Sequence, residues 1–206
     1  MLRLITELKI QQARHANPLT LLPGNVPIQQ CLTRLLLQRR QALVCYVDID
    51  NFKPFNDLYG YAKGDEVLLC LAQCLNERVD PRVDFVGHIG GDDFMLVLGG
   101  QDGLQRIDQL QHEFLRRSRT FYQREHLESG GFVSANRDGR ELLSLSIGIV
   151  DVRPEHTDRL DAGRLAALAS EAKRQAKQTF GPSVHVLDAD STSKDAHNPS
   201  CAAFSL

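Results

Sequence analysis

Gly90-Gly91-Asp92-Asp93-Phe94 lies between two apolar runs, Asp84-Phe85-Val86-Gly87-His88-Ile89 before it and Phe94-Met95-Leu96-Val97-Leu98 after it. Both flanks read as strands, so the glycines fall where a tight hairpin needs positive φ. Such a turn presents Asp92 and Asp93 together at its edge, with no side chain on Gly90 or Gly91 to block a ligand. Neighbouring carboxylates repel each other, and a divalent cation is the usual relief. Taken alone, the segment reads equally well as an ordinary Gly-Gly hairpin with solvated acids.

A second acidic string lies upstream. The apolar run Ala42-Leu43-Val44-Cys45-Tyr46 reads as a buried strand and leads into Val47-Asp48-Ile49-Asp50-Asn51-Phe52-Lys53-Pro54-Phe55-Asn56-Asp57. Asp48 and Asp50 then sit at the strand's C-terminal end, where α/β folds place ligands. Tyr59 to Glu66 reads as a glycine-bearing loop opening a helix over roughly 64–78, on the spacing of Val67, Leu71, Cys74 and Leu75. Leu104, Ile107, Leu110, Phe114 and Phe121 mark a long helix to about Glu128. Strands follow near 130–135 and 141–150, joined by the turn Asn136-Arg137-Asp138-Gly139. A helix from Leu160 to Lys177 and a strand from Ser183 to Leu187 complete the order. The fold class expected is α+β: a ferredoxin-like or palm βαββαβ pattern, an antiparallel-rich sheet flanked by helices with an extra β-hairpin. Residues 1–16 read as an N-terminal linker helix, 17–188 as the folded domain, and 189–206, rich in Ser, Asp and Asn, as a disordered tail.

These strings together resemble the GGDEF domain of the diguanylate cyclases. The family pattern D-x-D-x-F-K-x-x-N-D is met from Asp48 to Asp57, its G-D by Gly64-Asp65, and its signature by residues 90–94 with Asp in the fourth place. Leu145-Ser146-Ile147-Gly148-Ile149 and Ala176-Lys177 also fit. The chain departs from the pattern at four places. The entry Asn17-Pro18-Leu19-Thr20-Leu21-Leu22-Pro23-Gly24-Asn25 lacks the leading acid, the middle glycine and the closing arginine. Asp93 is one methylene shorter than the usual glutamate. Gly181 stands where an arginine usually follows the lysine. Pro81 replaces the arginine of the R-x-x-D product-inhibition site, of which Asp84 survives, so feedback inhibition by that route is not expected. The altered entry and the hairpin near 130–141 resemble GGDEF domains that accompany EAL phosphodiesterase domains in longer proteins.

In the expected fold the first strand and the hairpin are neighbours, which brings Asp48 and Asp92 together. Two carboxylates and a main-chain carbonyl, that of Ile49, leave coordination positions open for phosphate oxygens and water. That describes a Mg²⁺ (or Mn²⁺) nucleotide site rather than a closed structural cage. The turn Asn51-Phe52-Lys53 directs backbone N–H groups at an anion, and Lys177 reaches phosphates as a point charge. The resemblance implies that Asn56 and Asp65 read the guanine edge; capping a helix is the alternative for each, and Asp65 can do both. It further implies nucleotidyl transfer between two GTP molecules, giving cyclic di-GMP and pyrophosphate across an antiparallel homodimer. Asp92 then binds metal and assists deprotonation, Asp93 supports the metal or the attacking group, and Asp50 is the least defined of the acids. The alternative is a regulatory module that binds GTP or cyclic di-GMP without turnover. A purely structural dimerisation domain fits poorly with Asp48, Asn56, Asp65, Asp92 and Lys177 all being present.

Bulk properties agree. The 206 residues suffice for one domain with a core, and a net charge of −2 argues against a dedicated DNA- or RNA-binding surface. Arg116, Arg117, Arg119 and Arg124 read as a solvated helix face. No apolar run approaches the roughly 18 residues that span a bilayer, no signal peptide is visible, and the five cysteines form no C-x-x-C pair. A cytoplasmic location is expected.

Overall fold

The computed structural model describes residues 15–133 and 140–190. Its elements run α1 (Asn25–Leu37), β1 (Ala42–Asp50), α2 (Phe52–Tyr59), α3 (Tyr61–Asn76), β2 (Phe85–Gly90), β3 (Asp93–Leu98), α4 (Gly103–Ser118), α5 (Arg124–Glu128), β4 (Phe132–Val133), β5 (Arg140–Glu141), β6 (Ser144–Val152), α6 (Ala162–Ala176) and β7 (Ser183–Asp188). Five strands make one mixed sheet in the order β2-β3-β1-β6-β7, and β4 with β5 makes a separate pair. The first four are antiparallel to their neighbours, the order required by βαββαβ, and β7 adds in parallel beside β6. This is the expected palm-like α+β fold.

β1 is central, which explains its nearly continuous apolar run. Its alternation sorts the two faces. Cys45, Val47 and Ile49 pack with Val67, Leu71 and Leu75 of α3 and Ile107, Leu110 and Phe114 of α4. Val44 packs on the opposite face with Leu32 of α1 and Leu165 and Ala169 of α6. Asp48 follows Val44 in the two-residue period, so it belongs to the α6 face. On β3, Met95 and Val97 share that face and Asp93 continues their row. A glycine lets α6 lie close: a Cβ at Gly148 would come 1.9 Å from the amide nitrogen of Lys173 and 2.5 Å from the carbonyl carbon of Ala172.

Several boundaries differ from the sequence reading. The expected loop over 59–66 is two helices meeting at Gly60, whose φ of 87° turns the chain between α2 and α3. Pro54 is tolerated because it lies in the first turn of α2, where its missing N–H costs no helical bond. The long helix to Glu128 breaks at Ser118, where the chain tightens into a 3₁₀ turn over Arg119–Phe121. Tyr122 is then extended, its ring packs against Phe55 and Phe132, and its hydroxyl accepts a hydrogen bond from the Leu143 amide at 2.6 Å. The strand expected over 141–150 is split: Arg140 and Glu141 pair with Val133 and Phe132, and β6 begins at Ser144. Residues 1–14 of the expected linker helix, the turn 136–139 and the tail from 191 onward lie outside the described residues, while His15 and Ala16, assigned to that helix, form a turn and an antiparallel bridge to Pro23. Ala189 and Asp190, assigned to the tail, are described, and Ala189 is buried against the α1 side of the core.

Candidate functional site

The β2–β3 turn is as tight as the glycines suggest. Gly90 pairs with Asp93, Gly91 and Asp92 form the bend, and φ is 150° at Gly90 and 58° at Gly91. His88 holds this turn. Its Nε2 lies 2.9 Å from the Gly91 carbonyl, which can only accept, so Nε2 carries the proton. The other nitrogen, Nδ1, therefore accepts from the Thr20 hydroxyl at 2.9 Å. The imidazole also stacks on Phe94, with ring centroids 4.1 Å apart. Burial pushes its pKa down, which keeps the neutral tautomer in place. Sequence reading passed over His88 and Thr20, although both flank motifs it used.

Beside the turn, the β1–β3 ladder ends at the pair Asp48↔Asp93, while β1 continues through Ile49 and Asp50 paired only with β6. Asp48 is buried, and Asp92 and Asp93 are half-buried. Burial raises the Asp48 carboxyl to about 6, with the Lys177 ammonium opposing the shift and the Asp92 charge adding to it. Burial also raises Asp92, with the Asp93 charge contributing. Lys177, the residue that ends α6, lies 2.5 Å from Asp48 Oδ2. That ion pair compensates charge but leaves Oδ2 buried without a well-directed hydrogen bond. Asp50 is occupied differently: Ser144 and Ser146 donate their hydroxyls to its two oxygens at 2.7 and 2.6 Å. It therefore ties β1 to β6.

One further side chain was missed altogether. Lys173, one helical turn before Lys177, places Nζ 3.0 Å from Asp48 Oδ1 and 3.0 Å from Asp93 Oδ1, and 4.6 Å above the Tyr46 ring. Burial alone would lower its pKa, but Asp93 and Asp48 outweigh burial and raise it. The i, i+4 spacing of the two lysines on an alanine-rich face was the signal available in the sequence.

Across the end of the sheet, Asn51 takes φ 60° and starts α2 with no side-chain cap, because its amide nitrogen donates instead to the Leu142 carbonyl at 3.0 Å. The N-terminal amides of this helix, including those of Phe52 and Lys53, thus face the site without a side-chain acceptor from the cap residue. Asn56 lies within α2 and Asp65 in the second turn of α3, whose N-cap is Gly60, so neither is a helix cap. Asn56 Oδ1 is buried with no partner, and it rests on Gly64: a Cβ there would come 1.8 Å from it. Asp65, next to Gly64, is exposed.

The donor set suits a hard divalent cation. Carboxylate oxygens of Asp48 and Asp92, with a backbone carbonyl from Ile49, are oxygen ligands of the kind that Mg²⁺ and Mn²⁺ take, and Asp48 Oδ2 is an under-satisfied buried acceptor. A separate group, His156 with Asp188 and Asp190, lies at the other end of β6 and β7, with His156 Nε2 3.6 and 3.5 Å from the carboxylates. There Nδ1 accepts from the Arg153 amide, so Nε2 carries a proton and the group is an imidazole–carboxylate contact. At the place of the product-inhibition motif, Asp84 is fully engaged. Arg106 and the Asp80 amide bond one oxygen at 2.6 and 2.8 Å, and the Gly99 amide bonds the other at 2.8 Å.

The family model described as diguanylate cyclase, GGDEF domain matches residues 14–181. The chain belongs to the GGDEF family. Diguanylate cyclase DgcP of Escherichia coli (strain K12) is 30% identical over 186 residues, which are 84% of this chain and 51% of DgcP. The chain thus spans about half the length of that relative. Among solved structures, the coiled coil and GGDEF domain of DgcB from Caulobacter crescentus, in complex with c-di-GMP, superposes with a TM-score of 0.70. It is 19% identical and the match covers 90% of this chain and 92% of that one. The GGDEF domain of PA1120 (TpbB or YfiN) from Pseudomonas aeruginosa is 29% identical with a TM-score of 0.61, covering 84% of this chain and 94% of that one. Among the described residues, no helix of this GGDEF domain is long and apolar enough to cross a membrane.

Proposed function

We propose that this GGDEF domain condenses two GTP molecules into cyclic di-GMP with release of pyrophosphate. The observation that carries the reading is the convergence, at one end of the sheet, of Asp48, Asp92 and the uncapped N-terminus of α2. A triphosphate with its metal ion offers a cation to the carboxylates and an anion to the helix N-terminus. Asn56 Oδ1 and the Asp65 carboxylate accept from the amine and ring N–H of guanine, and the orphaned Oδ1 gains the partner that folding denies it. Phe52 and Lys53 amides and the Lys177 ammonium receive phosphate oxygens.

In the reaction the 3′-hydroxyl oxygen of each GTP bonds to the α-phosphorus of the other, in two transfers that close the ring and release two pyrophosphates. In each, the bond from that phosphorus to the bridging oxygen breaks, and pyrophosphate leaves. The hydroxyl proton passes to Asp92. A Mg²⁺ or Mn²⁺ ion held by Asp48, the Ile49 carbonyl and Asp92 supplies Lewis acidity and neutralises charge on the phosphates. One domain holds one GTP, so two copies work face to face as an antiparallel homodimer. The occupied Asp84 and Pro81 fit a domain without feedback inhibition at the R-x-x-D position. The chain is proposed to act in the cytoplasm, where GTP is, and to stand beside an EAL domain in a longer protein.

A second reading has its own observation. Lys173 and Lys177 already neutralise Asp48, Lys173 engages Asp93, and Gly181 stands at the arginine position. That balance favours a module that binds GTP or cyclic di-GMP and signals without turnover. Purified protein incubated with GTP and Mg²⁺ decides between the two by mass spectrometry. Cyclic di-GMP from wild type and none from Asp92→Ala is the expected result. No product at protein concentrations that force dimers would overturn the cyclase reading in favour of the regulatory one.

A further inference from the structure

Asp48 and Asp93 are directly opposite each other on adjacent antiparallel strands, an arrangement that two like charges make unfavourable. Lys173 answers this from within the chain. Its Nζ bonds one oxygen of each carboxylate at 3.0 Å, and its side chain is 16% exposed. Three independent features hold it there. Gly148 lets the α6 backbone lie against β6 at the level of Lys173, where any side chain would collide. The Tyr46 ring, also on this face of β1, supports the ammonium 4.6 Å from its centroid. The alanines Ala169, Ala172 and Ala176 bury the same side of α6 and fix its rotation.

We infer that Lys173 is a fixed internal cation that takes the place between Asp48 and Asp93, so that the nucleotide site of this chain accepts one divalent ion and Asp93 is not a ligand of it. The inference rests on the reading of this site as a metal–nucleotide site and adds a count to it. Asp48 Oδ1 and Asp93 Oδ1 are committed to the ammonium. That leaves Asp92 and Asp48 Oδ2 for the ion, the latter once Lys177, 2.5 Å from it, turns to the phosphates. A second divalent ion between the strands would face the Lys173 charge at contact distance, and the two like charges repel. The short Asp93 fits this assignment. A side chain anchored to a lysine on its own sheet face does not need the reach of a glutamate.

The test counts ions. Mn²⁺ binding is followed by electron paramagnetic resonance in the presence of GTP, with nucleotide binding read separately from the fluorescence of a labelled GTP. Wild type is expected to bind one Mn²⁺ per chain, Lys173→Met two, and the double variant Lys173→Met/Asp93→Asn one again. Circular dichroism establishes that each variant is folded, and Lys173→Arg, which keeps the charge, should keep the count at one. Two Mn²⁺ in wild type, or one in folded Lys173→Met, overturns the role of Lys173 while leaving the nucleotide site standing. Absence of both GTP and Mn²⁺ binding overturns the site itself and this inference with it. Should Lys173→Met fail to fold, Lys173→Gln, which removes the charge and keeps a polar end, takes its place in the count.

Discussion

Replacing Gly64 with alanine separates the stability of the fold from its recognition of guanine. Gly64 is buried in the first turns of α3, and alanine is favoured over glycine inside a helix by about 1 kcal/mol. The new Cβ would come 1.8 Å from Asn56 Oδ1, 2.8 Å from its Cγ and 3.3 Å from its Nδ2. All three are the far end of one side chain, so Asn56 swings aside and the backbone stays. Because Oδ1 has no partner in the protein, that movement breaks no internal hydrogen bond. A displaced rotamer costs about 0.5–1.5 kcal/mol, which nearly cancels the helix gain. Stability should therefore stay within ~1 kcal/mol of wild type, a shift in Tm of a few degrees at most. Guanine, by contrast, loses an acceptor that is in place before it arrives. A hydrogen bond of this kind is worth about 1–1.5 kcal/mol net, or roughly tenfold in Kd. The assay is calorimetric titration with GTP and with ITP, which lacks the exocyclic amine. Wild type should prefer GTP, and Gly64→Ala should narrow the preference while melting at nearly the same temperature. Unchanged affinity for GTP in a folded Gly64→Ala protein would refute the placement of guanine against Asn56.

Other perturbations test the scaffold. Leu21 stands where the family pattern has glycine, is 75% exposed, and takes φ 58°. Leu21→Gly should relieve this left-handed strain without losing packing and stabilise by about 1 kcal/mol, read as a higher urea midpoint; a lower midpoint would show no strain was stored there. Gly148→Ala should destabilise at or above the usual ~1–3 kcal/mol for overpacking, because the Cβ meets backbone of α6. An unchanged midpoint would mean that α6 is free to lift. The Asp48 carboxyl, raised by burial to about 6 from an unperturbed 3.8, keeps its proton longer in the folded chain than in the unfolded one. Its contribution therefore turns against folding as pH rises from about 4 to about 6, and above that it costs about 3 kcal/mol. In metal-free buffer, Asp48→Asn should gain on wild type across that window, and a constant difference would contradict the burial argument. Mn²⁺ affinity should correspondingly weaken by about tenfold per pH unit below 6, since the proton competes for the same carboxylate.

The strand order and the face on which each acid lies were legible in the sequence, for one physical reason. β1 is buried on both sides, so its residues are sorted by a period of two that no surface requirement disturbs, and Val44, Tyr46, Asp48 and Asp50 fall in one row. The tight turn was equally readable, because φ of 150° and 58° at consecutive positions asks for two glycines. α2 was hidden by Pro54 and by the polar Asn56-Asp57, which resemble turn residues until one sees that the proline is in the first helical turn. The end of α4 was hidden because Phe121 continues the helical spacing, while the ring of Tyr122, packed with Phe55 and Phe132, draws the chain out of the helix. The composition of the carboxylate cluster was the hardest part. Lys173 on its own reads as a solvated helix charge, and in the sequence only its i, i+4 spacing to Lys177 sets it apart from Arg174. What separates them in the fold is long-range: Gly148 on β6 seats α6 at the height where residue 173 meets the strand acids, and the next residue turns outward to pair with Glu171 at 2.6 Å. A family pattern records which residues meet the nucleotide. Whether a cation of the protein's own already stands among them depends on a helix–sheet contact 125 residues from Asp48, and only the packed structure contains it.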